Sequence, residues 1–158
     1  MKKKTDNVEF AVFGEAVPAK ETPQRRFLLT HMTAEQRVSF YLTVAGLLEG
    51  GLSVRDAGHL VVNEYNAASR RHEAAAASVF FDGLQSTEDM DWTKATATMG
   101  EVANKAFGPK FTGTEEMILL RSLPMAKSQG AVLRAAANIV SLRFGVTDER
   151  ISAAAARG

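Results

Sequence analysis

The sequence predicts an all-α fold, an antiparallel bundle of about six helices behind an N-terminal arm. Three observations carry that prediction. Side chains able to cap a helix stand just ahead of apolar periodic stretches at Thr33, Ser53, Asp91 and Thr114. Downstream of each, apolar residues recur at i, i+3, i+4 spacing, which places them on one helical face. After residue 13, alternating β-branched runs flanked by turn residues do not occur, so the usual strand signal is missing.

The elements follow in order. Residues 1–32 show no sustained period and contain Gly14, Pro18 and Pro23; they read as a partly disordered arm, with a short strand-like piece over 8–13. Helix one is expected over 34–49, where Thr33 and Gln36 have capping-box spacing. Its inner face is expected to be Val38, Tyr41, Leu42, Ala45 and Leu48. Gly50 and Gly51 stop it where a left-handed residue costs least. Ser53 and Asp56 restart a helix over about 54–69. So short a turn makes helices one and two antiparallel neighbours, with Val54, Ala57, Val61, Tyr65 and Ala68 inside.

Residues 70–73, Arg-Arg-His-Glu, either continue helix two or break the chain before helix three. Helix three is expected over about 74–84, on a face of Ala76, Phe80 and Leu84, with Gly83 near its end. Helix four begins at the Asp91 cap and presents Trp92, Ala95, Met99, Val102, Ala103 and Ala106; Gly108 and Pro109 stop it. Helix five opens at Thr114, with Glu115 and Glu116 at the positive end of the helix dipole, and Pro124 ends it. Helix six covers about 129–144, with Val132, Leu133, Ala136, Ala137, Val140 and Phe144 in its stripe and Gly145 at its end. The domain proper thus spans 33–145, and 146–158 forms a tail able to make a short seventh helix.

A chain of 158 residues is one domain by length and can bury a core. Hydrophobic residues at 46% and charged residues at 23% are those of an ordinary globular protein. Nineteen basic and eighteen acidic residues leave a net charge of +1, which gives no general attraction to nucleic acid. The charge is uneven: residues 1–32 hold six basic and four acidic residues, and residues 33–144 eleven and twelve. Without cysteine there is neither a disulfide framework nor a thiolate metal site. No apolar run approaches the roughly 20 residues that span a bilayer. The start is basic but lacks the apolar core of a signal peptide, so the chain reads as soluble.

The residues that carry chemistry are sparse. His31, His59 and His72 do not form a ligand pair on one helical face, so they read as surface or boundary histidines. Glu88, Asp89 and Asp91 offer oxygens to a calcium ion but lack the alternation and turn glycine of an EF-hand loop, so the cluster reads as a solvated loop ending in a cap. Gly50 and Gly51 precede no Gly-Lys-Ser/Thr, and no serine lies in a nucleophile elbow. The reading is therefore a non-enzyme without cofactor or metal. Lys2, Lys3 and Lys4 either solubilise the terminus or attract anionic lipid, at about 1 kcal/mol per basic residue.

One segment carries a resemblance. Leu47, Leu48, Gly51, Leu52, Ser53, Val54 and Ala57 are similar to the helix-end, Gly-Leu-Pro/Ser-apolar and alanine pattern of the type II secretion F domain. That domain occurs in the inner-membrane platform proteins of type II secretion systems and type IV pili. Phe81, Gly83 and Leu84 resemble the end of a further helix of that family. Ala126, Lys127, Ser128, Gln129 and Gly130 stand at its late glycine-rich turn and keep only the final glycine, which points toward a divergent type IV pilus branch. The likeness covers about 33–144. It implies a non-enzymatic cytoplasmic domain that docks the assembly ATPase and couples its cycle to pilin polymerisation. It also implies a full-length protein integral to the bacterial inner membrane, contacts with pilin or other inner-membrane pilus components, and a tail leading toward a missing membrane segment. A homo-oligomer is compatible with it. Contact candidates on the domain are Glu49, Arg55 and Asp56. The competing expectation is a stand-alone helical protein-binding or regulatory module.

Overall fold

The computed structural model describes residues 31–151. It is an all-α bundle. Helices α1 (Ala34–Glu49), α2 (Val54–Ala67), α3 (Arg71–Ser86), α4 (Trp92–Phe107), α5 (Thr114–Ser122) and α6 (Gln129–Phe144) alternate in direction through short turns. Single 3₁₀ turns at Thr87–Asp89, Pro109–Phe111 and Leu123–Met125 bridge the later helices. Residues 148–151 begin a further helical turn, for which Thr147 Oγ1 accepts the Arg150 N–H at 3.2 Å. No strand occurs among the described residues. The strand-like piece at 8–13, the three N-terminal lysines and the alanine run of the tail lie outside them. Met32, assigned to the arm, is fully buried, so the core already starts ahead of the Thr33 cap.

The helix starts follow local chemistry. Thr33 and Gln36 form a reciprocal capping box: Gln36 N–H donates to Thr33 Oγ1 at 3.2 Å and Thr33 N–H to Gln36 Oε1 at 2.9 Å. Ser53, Asp91 and Ser128 cap α2, α4 and α6 in the same N3 geometry. At α5 the expectation is corrected by one residue. Gly113 is the cap, and Thr114 is already helical with no side-chain cap bond.

The helix ends show two departures. The chain breaks at 68–70, where Ser69 adopts φ 62° and Arg70 stands ahead of α3, so residues 71–73 form the first turn of α3, which starts earlier than the expected 74. Gly83 does not end α3, which runs on to Ser86. A Cβ on Gly83 would stand 2.3 Å from Val102 Cγ2, so this glycine is where α3 and α4 approach each other.

Around the bundle α1 lies beside α6, followed by α5, α4, α3 and α2. The α2 helix touches α1 sparingly and leans on α3 instead. Gly58 permits this, since a Cβ there would meet Phe81 Cγ at 2.8 Å. The short turn thus reverses the chain without making its two helices the main partners. Phe40 of α1 reaches across the centre, its ring 5.3 Å from Phe80 and 5.8 Å from both Phe81 and Phe107. The expected inner face of α1 is accordingly corrected. Arg37, Phe40 and Val44 are buried with Val38, Tyr41 and Ala45, while Leu48 is half-buried and Leu42 is exposed. A helix apolar on most sides gives its periodicity little power to choose a face.

Candidate functional site

The α1–α2 turn and the start of α6 lie at the same end of the bundle, because α1 runs toward that end while α2 and α6 run away from it. Between them is a cleft of about 370 Å³, with Leu48, Glu49 and residues 52–54 on one wall and residues 126–130 on the other. The first wall is shaped by a Schellman ending of α1. Leu52 N–H donates to Leu47 O and Gly51 N–H to Leu48 O, both at 3.1 Å, with Gly51 at φ 102°. The chain then turns within two residues into the Ser53 cap. On the second wall, the turn Leu123–Met125 is held to α6 by Gln129 Nε2 donating to Leu123 O at 3.1 Å.

Glu49 closes the rim. Arg134 of α6 donates to it from Nε at 2.9 and 3.1 Å and from Nη2 at 2.8 Å, a bidentate pair on the surface. These hydrogen bonds hold the Glu49 carboxyl below its ordinary range and raise Arg134. The approach depends on Gly130, where a Cβ would stand 2.7 Å from Glu49 Cγ.

The contact candidates therefore divide. Glu49 lies in the cleft wall and is already engaged by Arg134. Arg55 and Asp56 are exposed on the first turn of α2, outside the cleft lining, with no ion pair among the described residues. Asp56 donates its backbone N–H to Ser53 Oγ at 3.1 Å, and its side chain is exposed. Sequence reasoning missed Arg134, whose partner Glu49 lies 85 residues away in the chain. The only local signal was a cation among the small residues of α6.

A second polar constellation was also missed, at the opposite end. Arg37 Nε donates to Glu116 Oε2 at 2.6 Å, and Tyr41 Oη donates to the same oxygen at 2.5 Å. Arg37 also donates to the Phe111 carbonyl. All three side chains are essentially excluded from water. Glu116 was expected at the helix start for its charge, and it is buried for its hydrogen bonds. Arg37 left a trace in the sequence, as a cation on the apolar stripe that holds Ala34, Tyr41 and Ala45. The arrangement ties α1 to α5 through buried, charge-assisted hydrogen bonds.

Of the histidines, His59 and His72 are exposed and His31 lies against Gly108. No group of three or more His, Cys, Asp or Glu among the described residues could hold a metal ion. No described helix is long and apolar enough to cross a membrane. No protein-family model matches the chain, nor does any curated protein or solved structure.

Proposed function

We propose that this domain is the cytoplasmic docking domain of an inner-membrane platform protein for type IV pilus assembly or type II secretion. It binds the assembly ATPase at the cytoplasmic face of the bacterial inner membrane, passes its conformational cycle to pilin and neighbouring components, and has no turnover of its own. One observation carries this reading. The two segments through which the sequence resembles the type II secretion F domain meet at one cleft, lined by Leu48, Leu52, Ser53 and Val54 of the first and by residues 126–130 of the second. The glycine retained from the second segment is the one whose missing Cβ lets α6 approach Glu49. A helical body with a rigid, paired rim suits force transmission, because its contact surface does not need ordering on binding.

The test is a calorimetric titration of the chain against the assembly ATPase encoded beside it. Transient coupling through a small, partly charged surface gives micromolar affinity that falls as salt rises. The pair of reversals Arg55→Glu and Asp56→Arg weakens binding without moving the melting temperature, since both side chains are exposed and unpaired. No heat of binding at high micromolar concentration, with membrane segments attached as a control, removes the central step of the proposal.

A further inference from the structure

A second surface lies around the corner from the cleft. Trp92 is 67% exposed, Ile118 60% and Met125 53%. Trp92 opens α4 one turn before Thr96, and Thr96 shares a shallow cleft of about 190 Å³ with Ile118, Ser122 and Met125. Single exposed apolar side chains are ordinary, but three of them along adjoining elements form a patch of the kind that marks an interaction site.

The charge beside the strip identifies its occupant. Glu88, Asp89 and Asp91 are three of the four residues before Trp92; all three are exposed and none has an ion pair among the described residues. Asp91 spends one oxygen on the Lys94 N–H at 2.9 Å and keeps its charge. Lys94 itself points away, since two positions correspond to about 200° around α4. One cation, Arg121, lines the same shallow cleft. An indole flanked by three carboxylates attracts a cation through both Coulomb and cation–π terms. A second copy of this chain is a poorer match, because its strip brings Arg121 alone against those three carboxylates.

We propose that the strip of Trp92, Ile118 and Met125 docks an amphipathic helix of a partner protein, with apolar residues on one face and lysine or arginine beside them. The proposal uses none of the cleft residues and stands apart from the reading of the cleft.

Trp92 is the only tryptophan, so its fluorescence reports contact directly. The full chain is titrated with a fluorescently labelled synthetic helix of about 18 residues, carrying one leucine stripe and lysines elsewhere. The control peptide has glutamates in place of the lysines. The expected result is a blue shift of Trp92 emission and saturable binding of the lysine peptide, about tenfold tighter than the control and weakened by salt. Ile118→Asp, and separately Glu88→Lys with Asp89→Lys, each weaken that binding about tenfold by peptide anisotropy, with an unchanged melting temperature. Equal affinity for the two peptides, or binding that both variants leave intact, overturns the proposal. A dimer seen by sedimentation and dissolved by Trp92→Ala also overturns it, by placing a second copy on the strip.

Discussion

Arg37, Tyr41 and Glu116 make a charged network that α1 and α5 share without access to water. Each of these groups is costly to bury alone, so the network depends on all its members. Glu116→Ala leaves the Arg37 cation and the Tyr41 hydroxyl without their acceptor, and is expected to cost about 3–5 kcal/mol in urea denaturation. Replacing all three by apolar residues, as Arg37→Met, Tyr41→Phe and Glu116→Leu, recovers most of that loss, because no stranded charge remains. The tyrosines add a pH dependence. Burial, and after it the Glu116 carboxylate, hold the Tyr41 hydroxyl well above its ordinary 10.0, and burial pushes Tyr65 up to about 12. Above pH 10 the unfolded chain loses these protons while the folded chain keeps them. Stability is therefore complete below that pH and declines as pH rises, by about 1.4 kcal/mol per pH unit for each tyrosine. For Tyr65 the decline ends near pH 12. Denaturation between about pH 9 and 11 measures the slope, and Tyr65→Phe removes its share.

Two helices end in the same hydrogen-bonded turn with different residues at its left-handed position. After α1 that residue is Gly51, at φ 102°. After α2 it is Ser69, at φ 62°, with Arg70 N–H donating to Tyr65 O at 2.8 Å and Ser69 N–H to Asn66 O at 3.0 Å. The Arg70 guanidinium lies 4.9 Å from the centre of the Tyr65 ring, in the place of the usual apolar contact. Opposite substitutions thus have opposite expected effects. Gly51→Val destabilises by about 1–2 kcal/mol, purely through the backbone, since nothing lies within 4 Å of the added Cβ. Ser69→Gly stabilises by about 0.5–1 kcal/mol for the same reason. Chemical denaturation of the two variants checks both signs. The glycine turn was legible because Gly-Gly after an apolar helix is a strong stop signal. Ser69 was not, because serine carries no such signal; the break there is set by Arg70, which packs on Tyr65 and pairs with Glu73 at 2.6 Å.

At the scale of the molecule, α1 is the organising element, beside α6 along its length and touching α3 and α4 through Phe40. Phe40→Ala removes a ring that meets four others at the centre, and is expected to cost about 3–5 kcal/mol. Leu48→Asp is expected to cost clearly less, because Leu48 is half-buried in the cleft wall and an aspartate there reaches water. Thermal melting of the pair separates the core of α1 from its cleft end. The geometry also gives the two proposed surfaces different sensitivities. Reversals at Arg55 and Asp56 act on the cleft end, Ile118→Asp acts on the strip, and neither touches a buried group.

The sequence by itself determined the helical class, the start of α2 and the bounds of α1, α4 and α6. Each of these depends on groups close in the chain: a cap oxygen and an N–H three residues on, or a glycine and the carbonyls just before it. It also marked the helix stop at Gly50 and Gly51 with the restart at Ser53, and the start of the last helix near 129, and so named much of the material of the cleft. Tertiary structure alone decided that those segments face each other, that Glu49 pairs with Arg134, and that Arg37 and Glu116 meet in the core. It also left Trp92 at the surface, although Trp92 continues the buried stripe of α4, because the helix begins below the end of the core. Periodicity says which side of a helix is apolar, and only the packing of its neighbours says how far along its length that side is covered.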